Sequence, residues 1–120
     1  MLSQIKFVLV ETSHPGNIGG VARALKNMGI RQLCLVAPRS QFPHPKASLQ
    51  SSGAEDLLEN AQVVASLEEA LAGCTLVAGA SARSRHLPWP LVTPNQLAQQ
   101  AKEELTASPA AKLAVVLGRE

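Results

Sequence analysis

Apolar residues gather along the chain in short runs separated by polar turns. Ile5–Val10 (IKFVLV) is rich in β-branched residues and reads as a buried strand. Gln32–Val36 (QLCLV), Gln62–Ala65 (QVVA), Thr75–Gly79 (TLVAG) and Lys112–Leu117 (KLAVVL) read the same way. Between most of them the apolar spacing becomes helical. Ile18, Val21, Ala22, Leu25 and Met28 form one stripe, and Gly29 is a natural stop. Ser66, with Glu69 three residues on, opens a second helix. Thr93-Pro94 ahead of Leu97, Ala101 and Leu105 opens a third. Ala37–Lys46, with Pro38, Pro43 and Pro45, reads as a loop. The alternation predicts an α/β fold, an open parallel sheet of about five strands with helices on both faces.

Length and composition agree with that reading. The 120 residues are few enough to belong to one domain, with 1–120 its N-terminal part. A chain of this size buries roughly two thirds of its unfolded surface. With 46% hydrophobic residues it is globular, not disordered. No apolar run approaches the ~20 residues of a membrane helix, and Met1–Lys6 lacks the order of a signal peptide. A cytoplasmic protein with no membrane partner is therefore expected. Cys34 and Cys74 sit among apolar residues without CxxC spacing and read as buried free thiols. His14, His44 and His86 lie on separate loops with no local ligand pair, so no metal is expected.

Net charge is only +2, but the charges are sorted. Residues 1–50 carry Lys6, Arg23, Lys26, Arg31, Arg39 and Lys46 against Glu11 alone. Residues 51–82 carry five acids and no base, and Arg83 and Arg85 then reopen the basic set. A basic face opposite an acidic one suits an anionic partner such as nucleic acid.

Two segments carry candidate chemistry. After the first strand, Asn17 reads as an N-cap, and Gly19 and Gly20 leave the first helical turn bare, so its N–H groups are open to an anion. Arg23, Lys26 and Asn27 share the face opposite the apolar stripe, which points a guanidinium over the same end of the sheet; ordinary solvated charges give the same pattern. The second segment, Ser81–Pro90 (SARSRHLPWP), follows the Thr75–Gly79 strand and leaves the sheet at that same carboxyl edge. Arg83 and Arg85 suit phosphates through forked hydrogen bonds, and Trp89 suits either a stacked base or a cap on the core. Arg23, Arg83 and Arg85 are expected to gather at one edge. A dinucleotide-binding reading ranks second: it asks for GxGxxG directly after the first strand, whereas Gly16-x-x-Gly19-Gly20 follows a longer loop. Val36-Ala37-Pro38-Arg39 stands where an acidic ribose ligand belongs, and Arg39 suits at best a 2′-phosphate. Ligands of open α/β sheets bind just past the carboxyl ends of strands, and Gly118-Arg119-Glu120 stops where such a loop begins. The domain is expected to continue.

The run from Glu11 to Gly29, with Asn17-x-Gly19-x-x-x-Arg23, resembles the first motif of the SpoU branch of SPOUT methyltransferases. Gly79–Pro90 resembles the TrmJ subgroup, and Gly118-Arg119-Glu120 resembles the opening of the second family motif. The third motif is absent. The resemblance implies a SPOUT fold cut before its trefoil knot, and transfer of a methyl group from S-adenosylmethionine to a ribose 2′-hydroxyl at nucleotide 32 of the tRNA anticodon loop, on cytidine or uridine. It implies a homodimer for the full-length enzyme and an inactive 120-residue piece. Arg23 is then catalytic, either taking the proton or clamping a phosphate and steadying the alkoxide. Asn17 and Gly19 support the motif; Ala80, Ser81, Ala82 and Gly118 line the donor pocket; Arg83, Arg85 and Lys26 meet RNA; Arg119 and Glu120 begin the second motif. The alternative is an α/β RNA- or nucleotide-binding module without catalysis.

Overall fold

A computed structural model describes residues 1–80 and 91–118. Its strands are β1 (Ile5–Val10), β2 (Gln32–Val36), β3 (Gln62–Val64), β4 (Leu76–Ala80) and β5 (Leu113–Leu117). They form one sheet in the order β3-β2-β1-β5-β4, with every pair parallel. The expected five-stranded parallel sheet is therefore present. Thr75 was expected to open β4 but lies outside it. Its N–H donates to the Lys112 carbonyl (2.8 Å), and its Oγ1 accepts from the Lys112 N–H (3.0 Å), so it clasps the start of β5 instead of joining the ladder.

β1 sits in the middle because both of its faces are apolar. Ile5, Phe7 and Leu9 point one way, with Leu33 and Leu35 of β2. They meet helices α1 (Pro15–Met28), α2 (Pro45–Ser51) and α3 (Glu55–Glu59). The register Ile5↔Leu113↔Leu76 carries this face across β5 and β4, where Ala101 and Leu105 of α5 (Pro94–Ala107) cover it. On the opposite face Val8, Cys34, Val36 and Ala114 pack against Ala70 of α4 (Leu67–Leu71). Helices cover both faces, but among the described residues four lie on one and a single short helix on the other. Burial on that second face pushes the Cys34 thiol above its ordinary range, so it is an inert packing group.

The helix ends follow local chemistry. Ser66 Oγ accepts from the Glu69 N–H at the start of α4, and Thr93 and Gln96 form a full capping box on α5. Gly29 closes α1 with φ 79°, the left-handed conformation that glycine adopts without strain. The start of α1 differs from the expectation. His14 is the N-cap and Pro15 the first helical residue, so Asn17 lies inside the first turn and does not cap it. Proline at that position has φ already set for a helix and no N–H to leave unpaired, which begins the helix earlier than Asn17. The stretch expected as loop through Lys46 ends at His44, whose Nδ1 accepts from the Lys46 N–H (3.1 Å) and caps α2.

Gly19 does something other than bare the helix end. It is buried, and a Cβ built on it would stand 2.1 Å from the Ala47 carbonyl oxygen of α2. That separation is impossible for non-bonded atoms, so α1 and α2 touch backbone to backbone at this point. Its neighbour Gly20 is exposed, and a Cβ there meets no described residue within 4 Å. The two adjacent glycines therefore predict opposite signs. Gly19→Ala forces the helices apart and destabilises by about 1–3 kcal/mol or more. Gly20→Ala stabilises by about 0.5–1 kcal/mol, because alanine costs less backbone entropy in a helix. Paired denaturant melts measure both, and two changes of the same sign contradict this packing.

Candidate functional site

The carboxyl edge of the sheet is built as a staircase. Glu11, just past β1, has φ 51°, and Ala37, just past β2, has φ 43°. Left-handed backbone is costly for residues other than glycine, so hydrogen bonds must hold it in place. The Glu11 N–H donates to the Val36 carbonyl (2.8 Å), the Ala37 N–H to the Val64 carbonyl (2.9 Å), and the Arg39 N–H to the Thr12 carbonyl (3.0 Å). Each strand end is thereby tied to the next. Thr12 is buried beneath this edge.

Beside it opens a cleft of about 560 Å³ between the first turns of α1 and the end of β5. Gly16, Asn17 and Gly20 form one wall and Leu117 with Gly118 the other. The structure thus brings Asn17 and Gly118 together. Gln50 of α2 and Thr12 also line this cleft, and sequence reasoning missed both. Thr12 carried no signal beyond following a strand, and Gln50 belongs to a helix that was not expected. Ala80 ends β4 in register with Leu117, so Ala80 and Gly118 stand at neighbouring strand ends. A Cβ on Gly118 would meet no described residue within 4 Å, so among these its backbone is open to a ligand.

Arg23 lies in the third turn of α1. It is eight residues beyond Pro15, about 12 Å along the axis and two turns back from the edge. It is exposed, and no described residue forms an ion pair with it. Helical side chains lean toward the N-terminus, which tilts its guanidinium back toward the cleft end. Lys26 turns sideways: its Nζ donates to the Gly53 carbonyl (2.8 Å) and Asp56 Oδ1 (3.0 Å). Arg31 reaches the other Asp56 oxygen at 3.3 Å. Ser81, Ala82, Arg83, Arg85, His86 and Trp89, with Arg119 and Glu120, lie outside the described residues, so the expected gathering of the three arginines is not decided. Among the described residues no group of three or more His, Cys, Asp or Glu side chains clusters. No described helix is long and apolar enough to cross a membrane.

The SpoU rRNA Methylase family matches residues 4–120. The chain belongs to that family. Among SpoU relatives, it is 56% identical over 120 residues to the tRNA (cytidine/uridine/adenosine-2′-O-)-methyltransferase TrmJ of Pseudomonas aeruginosa, covering all of this chain and 46% of that protein. It is 50% identical to the tRNA (cytidine/uridine-2′-O-)-methyltransferase TrmJ of Cronobacter sakazakii, covering 47% of it. The chain spans about half the length of these curated relatives. The solved structure of TrmJ from Z. mobilis superposes with a TM-score of 0.88 at 36% identity, over 96% of this chain and 49% of that one. A probable methylase family protein from Haemophilus influenzae gives 0.85 at 48% identity, over 100% and 47%.

The Lys26–Asp56–Arg31 cluster gives a pH signature. The hydrogen bond from Lys26 is the main cause that holds the Asp56 carboxyl below its ordinary range. A carboxyl with a lowered folded pKa stabilises above its unfolded pKa, and that contribution is lost as pH falls through the folded value. Asp56→Asn is therefore expected to lower the melting temperature at neutral pH, with the gap to the parent chain closing below pH ~4. A gap that stays constant on acidification contradicts the ion-pair account.

Proposed function

We propose that this chain is part of a tRNA ribose 2′-O-methyltransferase that acts at nucleotide 32 of the anticodon loop, on cytidine or uridine, with S-adenosylmethionine as donor. The observation that carries the reading is the end-to-end match of all 120 residues to TrmJ enzymes at 50–56% identity, with Asn17, Gly19 and Arg23 at their motif spacing. The enzyme is read as a cytoplasmic homodimer.

The strand ends fit a donor molecule: Ala80 and Gly118 adjoin, and the Gly118 backbone is open. With Ser81 and Ala82 they would hold S-adenosylmethionine, which supplies an electrophilic methyl group on a sulfonium. The rest of the work is positioning, and for an in-line displacement positioning is worth much of the barrier. A guanidinium stays protonated in proteins. Arg23 therefore acts as a clamp: it holds a phosphate beside the target ribose and stabilises charge that develops on the 2′-oxygen as the hydroxyl proton passes to water. Asn17 and Gly19 fix the first turns of α1 from which Arg23 extends. Arg83 and Arg85 contact the tRNA backbone, whereas Lys26, also expected there, is held by Gly53 and Asp56, and Arg119 and Glu120 open the second motif.

Arg23→Ala, in the protein expressed from its whole reading frame, tests this. One charge-assisted contact made mainly in the transition state is worth roughly 1.5–3 kcal/mol, so turnover should fall about ten- to more than a hundredfold. Donor affinity by calorimetry should stay within about twofold, because the contact is not to the donor. Normal turnover in a tritiated-methyl transfer assay would remove Arg23 from the reaction.

A further inference from the structure

The segment between β2 and α2 has no role in the reading above, yet it is fastened to the first motif at both ends. At its start the Arg39 N–H donates to the carbonyl of Thr12, a buried residue of the motif loop. At its end Lys46 directly precedes Ala47, whose carbonyl lies against Gly19 of α1. The intervening chain is fixed by Pro38, Pro43 and Pro45 and by the His44 cap. Two cations are thus mounted on a frame tied to Thr12 and Gly19 of the first motif.

Both cations are available. Arg39 Nε stands 3.7 Å from Glu11 Oε1, with the side chains 53% and 39% exposed. So long and wet a pair contributes little and gives way to a better-matched anion. Lys46 is exposed, and no described acid pairs with it. Glu11 is the only acid in residues 1–50. The next acids in the chain sit on α3, where Asp56 is taken by Lys26 and Arg31, Glu55 Oε1 accepts from the Gly53 N–H and Glu59 ends the helix, and on α4, on the other face of the sheet.

We propose that Pro38–Lys46 is a second contact surface for the phosphodiester backbone of a structured RNA, with Arg39 and Lys46 as its contact residues. It rests on the RNA-methylating function proposed above and adds to it a site on this chain. A guanidinium and an ammonium set about one loop apart, where the only acid paired with either is the weakly held Glu11, suit two phosphates along a strand. Bases are not read here, so the surface adds affinity without sequence preference.

The test uses the protein from its whole reading frame and an unmodified tRNA. Each lost phosphate contact should reduce the slope of log affinity against log salt by about one unit, and the double variant Arg39→Ala/Lys46→Ala by about two. KM for tRNA should rise with kcat unchanged. Arg39→Lys keeps a charge and should keep most of the slope. Arg31→Ala removes the same charge at the amino end of β2, the opposite edge of the sheet, and should leave the slope unchanged. If the double variant melts early, the two single variants carry the comparison. Parent-like slopes in Arg39→Ala and Lys46→Ala, with the parent protein still methylating tRNA, overturn this surface alone. An equal loss in Arg31→Ala overturns it too, since only net charge is then being read. A parent protein that binds no tRNA removes the proposed function and this surface with it.

Discussion

The approach of α1 to α2 at Gly19 is the contact on which the rest of the structure depends. With no side chain at Gly19, the Ala47 carbonyl rests on the helix backbone. That seat lets Ile18, Ala22 and Leu25 reach the odd-numbered face of β1 and β2, where they are fully or almost fully buried. It also fixes the roll of α1 about its axis. Once Gly19 faces α2 and Ile18 faces the sheet, Asn17 and Gly20 must line the cleft and Arg23 must face outward. A side chain's chemistry at Arg23 is thus set by a missing side chain four residues away.

The charges follow from the same geometry. Lys26 sits on the α2–α3 side of α1, so it meets Gly53 and Asp56 and helps close the layer. Arg23 and Arg39, farther round and nearer the carboxyl edge, have no strong partner among the described residues. The weak charge sorting of the sequence becomes a division of labour. Cations near acids fasten helices, and cations near the strand ends stay open to an anion.

Much of the sheet was legible because the apolar runs at Ile5–Val10, Gln32–Val36 and Lys112–Leu117 are short and bounded by turns. The parallel order then follows from the helices between them. Caps at Ser66 and Thr93 were legible because a hydroxyl three residues before a free N–H is a local device. What failed to show was set by contacts distant in sequence. α2 and α3 have seven and five residues, too short to display a helical period, and a neighbouring layer holds them. Asn17 looks like a cap only if Pro15 is ignored. Gly19 looks like open backbone until α2 is placed on it. Thr75 is apolar-flanked and strand-like, and only its bonds to Lys112 take it out of the ladder. The family motif was readable as a pattern, but the pattern does not tell which of its glycines packs and which lies open.

The proposed role of this edge of the sheet is ribose methylation of tRNA. Nucleoside mass spectrometry tests it most directly, on tRNA incubated with S-adenosylmethionine and the protein expressed from its whole reading frame. The account predicts one new methyl group per substrate tRNA, on a ribose 2′-oxygen in the anticodon loop. A methyl group found on a base, or tRNA returned unchanged, would contradict it.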